Sequence, residues 1–423
     1  MAALEDDNRT FLASLFGAAV KAADPDAAIA ANLPARPFGR TVVVGAGKGA
    51  AQMAYAFEKH WNGPLSGAVV TRYGFGVQCK HIDVLEAAHP VPDLNGAKAS
   101  QRLLSDVSGL TADDLVVALI CGGGSALLPA PPGDLTLAEE AAVNRALLAC
   151  GAPISAMNTV RKHVSAIKGG RLAAAAYPAR VVSLVVSDVP GDDPAIVSSG
   201  PTIADASTQA DALRIIERYN LSLPERVMAW IASVAAAAPR PDDPAFGRND
   251  VRLIASASVS LEAAAAQARA ASINAVILSD AIEGEAREVA RVHAAIAREV
   301  ATKNRPFAKP VVILSGGETT VTIRGDGRGG RNSEFLLSFA LDIDGVQGIC
   351  ALAADTDGID GSEDNAGAFA DGQTIARLRQ LRMDGAEHLH RNDAWTAFNA
   401  LSDIFKPGPT GTNVNDFRAI LVR

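Results

Sequence analysis

The sequence predicts an α/β protein of two domains, an N-terminal Rossmann-like doubly wound parallel sheet over residues 1–240 and a C-terminal α/β domain with a mixed sheet over residues 241–423. Three observations predict it. A chain of 423 residues exceeds one ordinary core and suggests two large domains. From Thr41 onward short apolar runs alternate with Ala-rich helical stretches, the pattern of buried parallel strands joined by crossover helices. The segment ASVAAAAPRPDDPAFGRND, 232–250, gathers three prolines with charge and closes the first series, so the domain boundary is expected there.

The elements follow in order. Leu12, Leu15, Phe16, Ala19 and Val20 recur at helical spacing until Asp24-Pro25 interrupts them, which predicts an amphipathic helix over 5–23. TVVVGAG, GAVVTR, DLVVALICGGG and ARVVSLVVSD read as strands of the first sheet. VRLIAS, INAVILSD, KPVVILSGG, TTVTIRG and GICALAAD read as strands of the second domain, with helices over 258–271, 284–302 and 332–340. TTVTIRG follows VVILSGG too closely for a helical crossover, hence the mixed sheet.

Composition narrows the function classes. Hydrophobic residues make up 48% and charged residues 20%, without an apolar run long enough to span a bilayer. A net charge of -8 opposes a broad nucleic-acid footprint but leaves room for a local basic pocket that takes a small anion. Cys79, Cys121, Cys150 and Cys350 are widely spaced, which signals neither a disulfide framework nor a zinc site. The N-terminus is acidic early and lacks a secretory pattern, so a cytoplasmic protein is expected.

The loops carry the chemistry. In VVVGAGKGA, Gly45, Gly47 and Ala50 fit a dinucleotide fingerprint, yet the next strand ends in Thr71-Arg72 where an acidic residue should hold a ribose. NAD therefore loses ground, and NADP is conceivable only through Arg72. A P-loop also fails, because Gly49 follows Lys48 and Val42 stands where the first glycine belongs. What remains is Lys48 at a strand-to-helix turn that favours an anion, against the bland alternative of a solvent-facing lysine. Gly122, Gly123 and Gly124 exclude side chains so that amides can approach phosphate oxygens, with the Ser125 hydroxyl at a helix start; a nucleotide phosphate is the natural occupant.

Further along, Asn158, Arg161 and Lys168 stand at spacings of three and seven, which places them on one helical face able to hold a carboxylate or phosphate. Asp188, Asp192 and Asp193 follow a strand in a Gly/Pro-rich loop, where one carboxylate, Asp188 first, suits magnesium with substrate phosphates; turn capping is the alternative for Asp192 and Asp193. In SGGETTVTIRGDGRGGRNSEF, Glu318 follows Gly316-Gly317, and Arg331 stands near a helix start behind four glycines, a placement suited to an anion with planar oxygens. Arg328 reads as a bystander. Asp355, Asp357 and Asp360 follow a strand without EF-hand spacing, and Thr410, Thr412, Asn413 and Asn415 crowd near the C-terminus.

Taken together, VVVGAGKGA, AAHPVPD, GGGSALLPAP, NTVRKHVSAIKGGRLA, SDVPGDDPAIVSSGPT, SGGETTVTIRGDGRGGRNSEF, DTDGIDG and PTGTNVNDF resemble the glycerate 2-kinase family, also called MOFRL or class II glycerate kinases, from about residue 40 to the C-terminus. The resemblance implies two α/β domains, the second of MOFRL type, with the active site in the cleft between them. It implies transfer of the ATP γ-phosphate, with Mg2+, to the 2-hydroxyl of D-glycerate, giving 2-phosphoglycerate and ADP. By the same likeness Lys48 and Arg331 are catalytic and the GGGS loop lies at the nucleotide phosphates. Gly45, Gly47, Gly122, Gly123, Gly124, Ser125, Asn158, Lys168 and Glu318 are the expected nucleotide-site residues, and Asp188 and Asp192 the expected metal ligands. One departure stands out: Cys121 replaces the serine expected ahead of the triple glycine, so a hydroxyl contact would be lost there. A homodimer is compatible with the resemblance. Two rivals are an NADPH-dependent hydroxypyruvate reductase, a label also given to relatives, and a ligand-binding regulator with two sugar-phosphate-sensing domains.

Overall fold

The computed structural model describes residues 2–189 and 191–423. It divides into two compact units: residues 25–189 with 193–254, called the first unit, and residues 2–24, Gly191, Asp192 and 255–423, called the second.

The first unit is built on strands β1 (Thr41–Ala46), β2 (Ser66–Arg72), β3 (Ile82–Ala87), β4 (Leu115–Cys121), β5 (Arg180–Val186) and β6 (Asp250–Ala255), in the order β3-β2-β1-β4-β5-β6. β1 pairs in parallel with both β2 and β4, β2 with β3, and β4 with β5. This is the order of a doubly wound dinucleotide-type sheet, and its direction reverses between β1 and β4. β1 and β4 are buried along their whole length, which explains why their sequences are unbroken apolar runs without alternation. Val42, Val44, Val116, Ala118, Ile120, Val181 and Val185 supply the centre of one core cluster.

The second unit carries β7 (Asn274–Ile277), β8 (Ile282–Glu285), β9 (Val311–Thr320), β10 (Ile349–Asp355), β11 (Gly367–Asp371), β12 (Ile404–Phe405) and β13 (Asp416–Val422). The order is β12-β11-β10-β13-β9-β7, with β8 also on β9. β7 and β8 run parallel to β9, whereas β13 is antiparallel to both β9 and β10, so the sheet is mixed as expected. The helices Ala257–Ala270, Ala286–Lys303 and Arg331–Asp342 match the predicted ones closely.

Several expectations differ from the observed elements. VRLIAS is β6 and joins the first sheet. VVILSGGETT is one continuous ten-residue strand, β9, so TTVTIRG is not a separate strand; the antiparallel pairs are made by β11, β12 and β13, strands that the sequence reading does not assign. The predicted first helix spans Ala2–Ala22 and packs with the second unit: Leu12, Leu15, Phe16 and Ala19 join Leu261, Leu352 and Phe417 in one core. The compact units therefore do not follow a single cut between 240 and 241. Among the described residues no helix is long and apolar enough to cross a membrane.

Candidate active site

In the first unit the two glycine loops are brought side by side because β1 and β4 are neighbours in register, Gly45 opposite Leu119 and Ala46 opposite Ile120. The chain leaves β1 through Gly47 and Lys48, and the Lys48 N–H donates to the Gly122 carbonyl at 2.8 Å. The Thr71 hydroxyl donates to the Lys48 carbonyl at 3.0 Å, so the end of β2 fixes the same turn. Lys48 is half-buried, and among the described residues its ammonium has no ion-pair or hydrogen-bond partner. Its side chain lies over Gly123: a Cβ there would meet Lys48 Cγ at 3.0 Å and His89 Nε2 at 3.1 Å. Gly123 has φ +80°, a left-handed conformation that glycine adopts without strain.

The amides of the two loops have different fates. Gly47 N–H donates to Val70 O at 3.1 Å and Gly49 N–H to Cys121 Sγ at 3.2 Å. Gly45 is a ladder residue inside β1. Gly45 and Gly47 therefore build the turn, in place of the nucleotide contacts expected of them. The Cys121 sulfur that takes the place of the expected hydroxyl holds this turn instead, and burial pushes its thiol up to about 12, so it acts as a neutral group. Gly124 and Ser125 begin the four-residue helix Gly124–Leu127, where N–H groups lack intrahelical acceptors.

Behind the GGGS loop stands a buttress. Ser125 Oγ lies 2.7 Å from Ser199 Oγ, which donates to Asn158 Oδ1 at 3.0 Å, and Asn158 Nδ2 donates to Ile196 O at 3.1 Å. Asn158 is only 2% exposed, so it orients Ser125 through Ser199. Ser198 Oγ donates to Cys121 O at 2.6 Å, which ties the segment after β5 to the loop after β4. Lys168 is not on the helical face expected for it, because the helix Ile154–His163 ends before it. Its ammonium is buried, donating to Leu128 O at 2.7 Å and Glu140 Oε1 at 3.0 Å. That pairing takes it out of reach of a ligand.

Asp188 sits directly against the loop: a Cβ on Gly122 would fall 1.7 Å from Asp188 Oδ2. Asp192 belongs to the other compact unit, and Asp193 caps a turn at Ala195 N, 2.9 Å. Among the described residues no group of three or more His, Cys, Asp or Glu side chains is arranged to hold a metal.

In the second unit Arg331 opens the helix Arg331–Asp342 as the sequence suggested, but the planar anions it meets are the protein's own. Nε donates to Asp416 Oδ1 at 2.6 Å, Nη1 to Glu318 Oε1 at 2.8 Å and Nη2 to Asp355 Oδ2 at 2.6 Å. Burial works against its charge, yet Asp416, Asp355 and Glu318 together raise its pKa. Asp355 is raised by burial and by the neighbouring Asp357 carboxylate, with Arg331 opposing. Glu318, expected at the nucleotide, is half exposed and engaged with Arg331. The helix start is occupied too, since Asp360 accepts from the amides of Asn332 at 2.9 Å and Ser333 at 2.8 Å. Arg328 pairs with Glu363 and lies over Trp395. Thr410 and Thr356 knit the C-terminal loop to the loop after β10, through Thr410 Oγ1 to Thr356 O at 2.5 Å.

The buried pair Asp416 and Arg418 was missed by the sequence reading. Asp416 accepts from Arg331, Asn332, Thr319 and Arg418, making it the hub beneath Arg331. Only its place in NDF marked it, and no spacing rule singles out an Asp that opens a strand. His89 stands in the AAHPVPD motif, which assigns it no role, and the sequence connects Arg72 only with NADP.

Comparison with known proteins fits this geometry. A domain of unknown function, DUF4147, matches residues 11–232, and the MOFRL family matches residues 311–416. The D-glycerate 2-kinase of Thermotoga maritima is 39% identical over 400 residues, 94% of each chain. The chain belongs to the glycerate 2-kinase family. A glycerate 2-kinase family member from Pyrococcus horikoshii, named glycerate 2-kinase, is 37% identical over 96% of each chain. The crystal structure of the Thermotoga maritima glycerate kinase superposes with a TM-score of 0.91 at 36% identity, covering 99% of this chain and all of that one. A protein of Agrobacterium vitis, provisionally named hydroxypyruvate reductase, is 53% identical over 98% of this chain and 94% of its own.

Proposed function

We propose that the chain is a cytoplasmic enzyme that transfers the γ-phosphoryl group of ATP to the 2-hydroxyl of D-glycerate, giving 2-phospho-D-glycerate and ADP. The observation that carries this reading is Lys48, unpaired among the described residues and lying over the GGGS loop where the order of a doubly wound sheet reverses, in a chain similar to a named glycerate kinase over 94% of its length.

In phosphoryl transfer the bond between the γ-phosphorus and the ADP oxygen breaks as the 2-hydroxyl oxygen attacks, and the hydroxyl proton is lost. The transition state is loose, so positioning and positive charge matter more than a strong base. Lys48 supplies charge to the transferring group, and the N–H groups of Gly123, Gly124 and Ser125 hold phosphate oxygens. Arg331, which the resemblance makes catalytic, has its guanidinium held in one orientation by three carboxylates. Magnesium, which the family implies, would neutralise phosphate charge. Asp188, which lies against Gly122, would supply a carboxylate for Mg2+ beside the loop.

The name carried by the Agrobacterium vitis relative favours a second reading, reduction of hydroxypyruvate. Against it, the Gly47 and Gly49 amides of the dinucleotide-like turn are already spent within the protein. One assay separates the two. Protein incubated with D-glycerate, ATP and magnesium, followed by enolase, should form phosphoenolpyruvate without a mutase. Oxidation of NADPH by hydroxypyruvate, with no phosphoenolpyruvate formed, would sink the kinase reading.

A further inference from the structure

Lys48 is accompanied by two more basic groups that the phosphoryl-transfer chemistry does not use. Arg72 ends β2, next to the Thr71 whose hydroxyl holds the Lys48 carbonyl. Its guanidinium lies over the Phe75 ring, Cζ 3.5 Å from the centroid, which fixes its plane. Among the described residues it pairs with no carboxylate and donates no hydrogen bond, and its Nε is sealed from solvent without a partner. A buried guanidinium N–H left unmade is costly, so an unpaired one beside a glycine loop asks for a ligand.

His89 is half-buried, with Nε2 over Gly123 and neither ring nitrogen hydrogen-bonded among the described residues. Burial, then the nearby Lys48 and Arg72 charges, lower its pKa, which leaves a neutral imidazole able to exchange hydrogen bonds with a hydroxyl. The acidic groups on neighbouring elements are committed elsewhere. Glu86 accepts from the Gly74 and Gly76 amides at 3.0 and 2.9 Å, Asp93 holds Tyr73 and the Gly96 amide, and Asp188 lies against Gly122.

We propose that Arg72 and His89 form the subsite for the acid substrate, Arg72 taking the carboxylate in its planar fork and His89 a hydroxyl. The inference rests on the kinase reading for the identity of the acid. A fork whose plane is set by Phe75 matches the two coplanar oxygens of a carboxylate, while the glycine amides and Lys48 already provide for phosphate. The subsite distinguishes an acid from the corresponding neutral polyol, because only the charged ligand repays desolvation of the arginine.

The test uses the full chain with Arg72→Gln, Arg72→Lys and His89→Gln, comparing calorimetric binding of D-glycerate and of ATP with steady-state kinetics. Arg72→Gln should weaken D-glycerate binding and raise its KM by about 10- to 100-fold, while ATP affinity changes by less than about threefold. Preference for D-glycerate over uncharged glyceramide should fall by the same factor. Arg72→Lys keeps the charge without the fork and should recover only part of the loss, and His89→Gln should raise the D-glycerate KM without moving that for ATP. Retained ATP binding establishes that each variant is folded. Unchanged D-glycerate affinity in Arg72→Gln, or a loss of ATP affinity as large as that of the acid, overturns the assignment. A wild-type protein that binds D-glycerate through Arg72 but forms no 2-phosphoglycerate would overturn the kinase reading and leave the subsite standing.

Discussion

Lys48 and Arg331 share one sequence signature, a cation behind glycines at a helix start, yet their surroundings are opposite. Among the described residues the Lys48 ammonium has no partner, whereas each of the three guanidinium nitrogens of Arg331 donates to a carboxylate. A free ammonium over a glycine loop can follow charge onto the transferring group; a caged guanidinium is pre-set in one orientation. Lys48→Ala should therefore lower kcat by about 10²-fold or more while ATP affinity stays near that of the wild type, as measured by steady-state kinetics beside calorimetry. Near-normal turnover would remove the lysine from the mechanism. Glycine spacing made both loops legible, but it said nothing of Glu318, Asp355 and Asp416 converging on Arg331. Those three come from β9, β10 and β13, and their meeting depends on strand order.

Strands and helices add constraints that no single residue carries. β13 lies between β9 and β10, and its Asp416 and Arg418 place a buried ion pair at one end of the second sheet. Nearby, His293 on the helix Ala286–Lys303 faces β9, with Nε2 3.0 Å from Ser315 Oγ and Nδ1 2.8 Å from Val289 O. Burial lowers its pKa from 6.5 to about 4, so the folded protein holds it neutral where the unfolded chain would protonate it. The contribution to stability is complete above pH 6.5 and is lost as pH falls toward about 4, below which both states are protonated. Over that window the loss amounts to roughly 3 kcal/mol, and His293→Gln should flatten it. Urea unfolding midpoints of the two proteins between pH 7 and pH 4 check this; parallel slopes would show that other groups carry the acid sensitivity. The long helices Ala257–Ala270, Ala286–Lys303 and Arg331–Asp342 are legible in the sequence, while the short helices after residue 373 and the strands β11, β12 and β13 are not, since short or late elements lack the flanking crossover pattern that marks β1, β4 and β5.

At the scale of the whole chain, the units are not contiguous in sequence. The helix Ala2–Ala22 completes the second unit, with Phe16 edge-on to Phe405 and Phe417 at centroid distances of 5.1 and 5.8 Å. Ser260 Oγ donates to Ala19 O and Thr412 Oγ1 to Ala23 O, fastening the helix and the turn after it to segments more than 200 residues away. Removing residues 1–22 uncovers Leu261, Leu352 and Phe417 and deletes the buried Leu12, Leu15 and Phe16. Thermal unfolding of the truncated chain should show the second unit destabilised by on the order of 5 kcal/mol or more, with the first unit's transition retained. A single unchanged melting profile would contradict that role for the helix.

The sequence by itself determined the class of fold and the family, because apolar runs, glycine clusters and their order are local properties of the chain. Only the tertiary structure decided which groups meet. It set Lys48 over Gly123 through the adjacency of β1 and β4, turned Lys168 inward onto Glu140, closed three carboxylates around Arg331 and left Arg72 and His89 without hydrogen-bond partners among the described residues. These outcomes depend on contacts between segments distant in sequence, where spacing along the chain carries no information about distance in space.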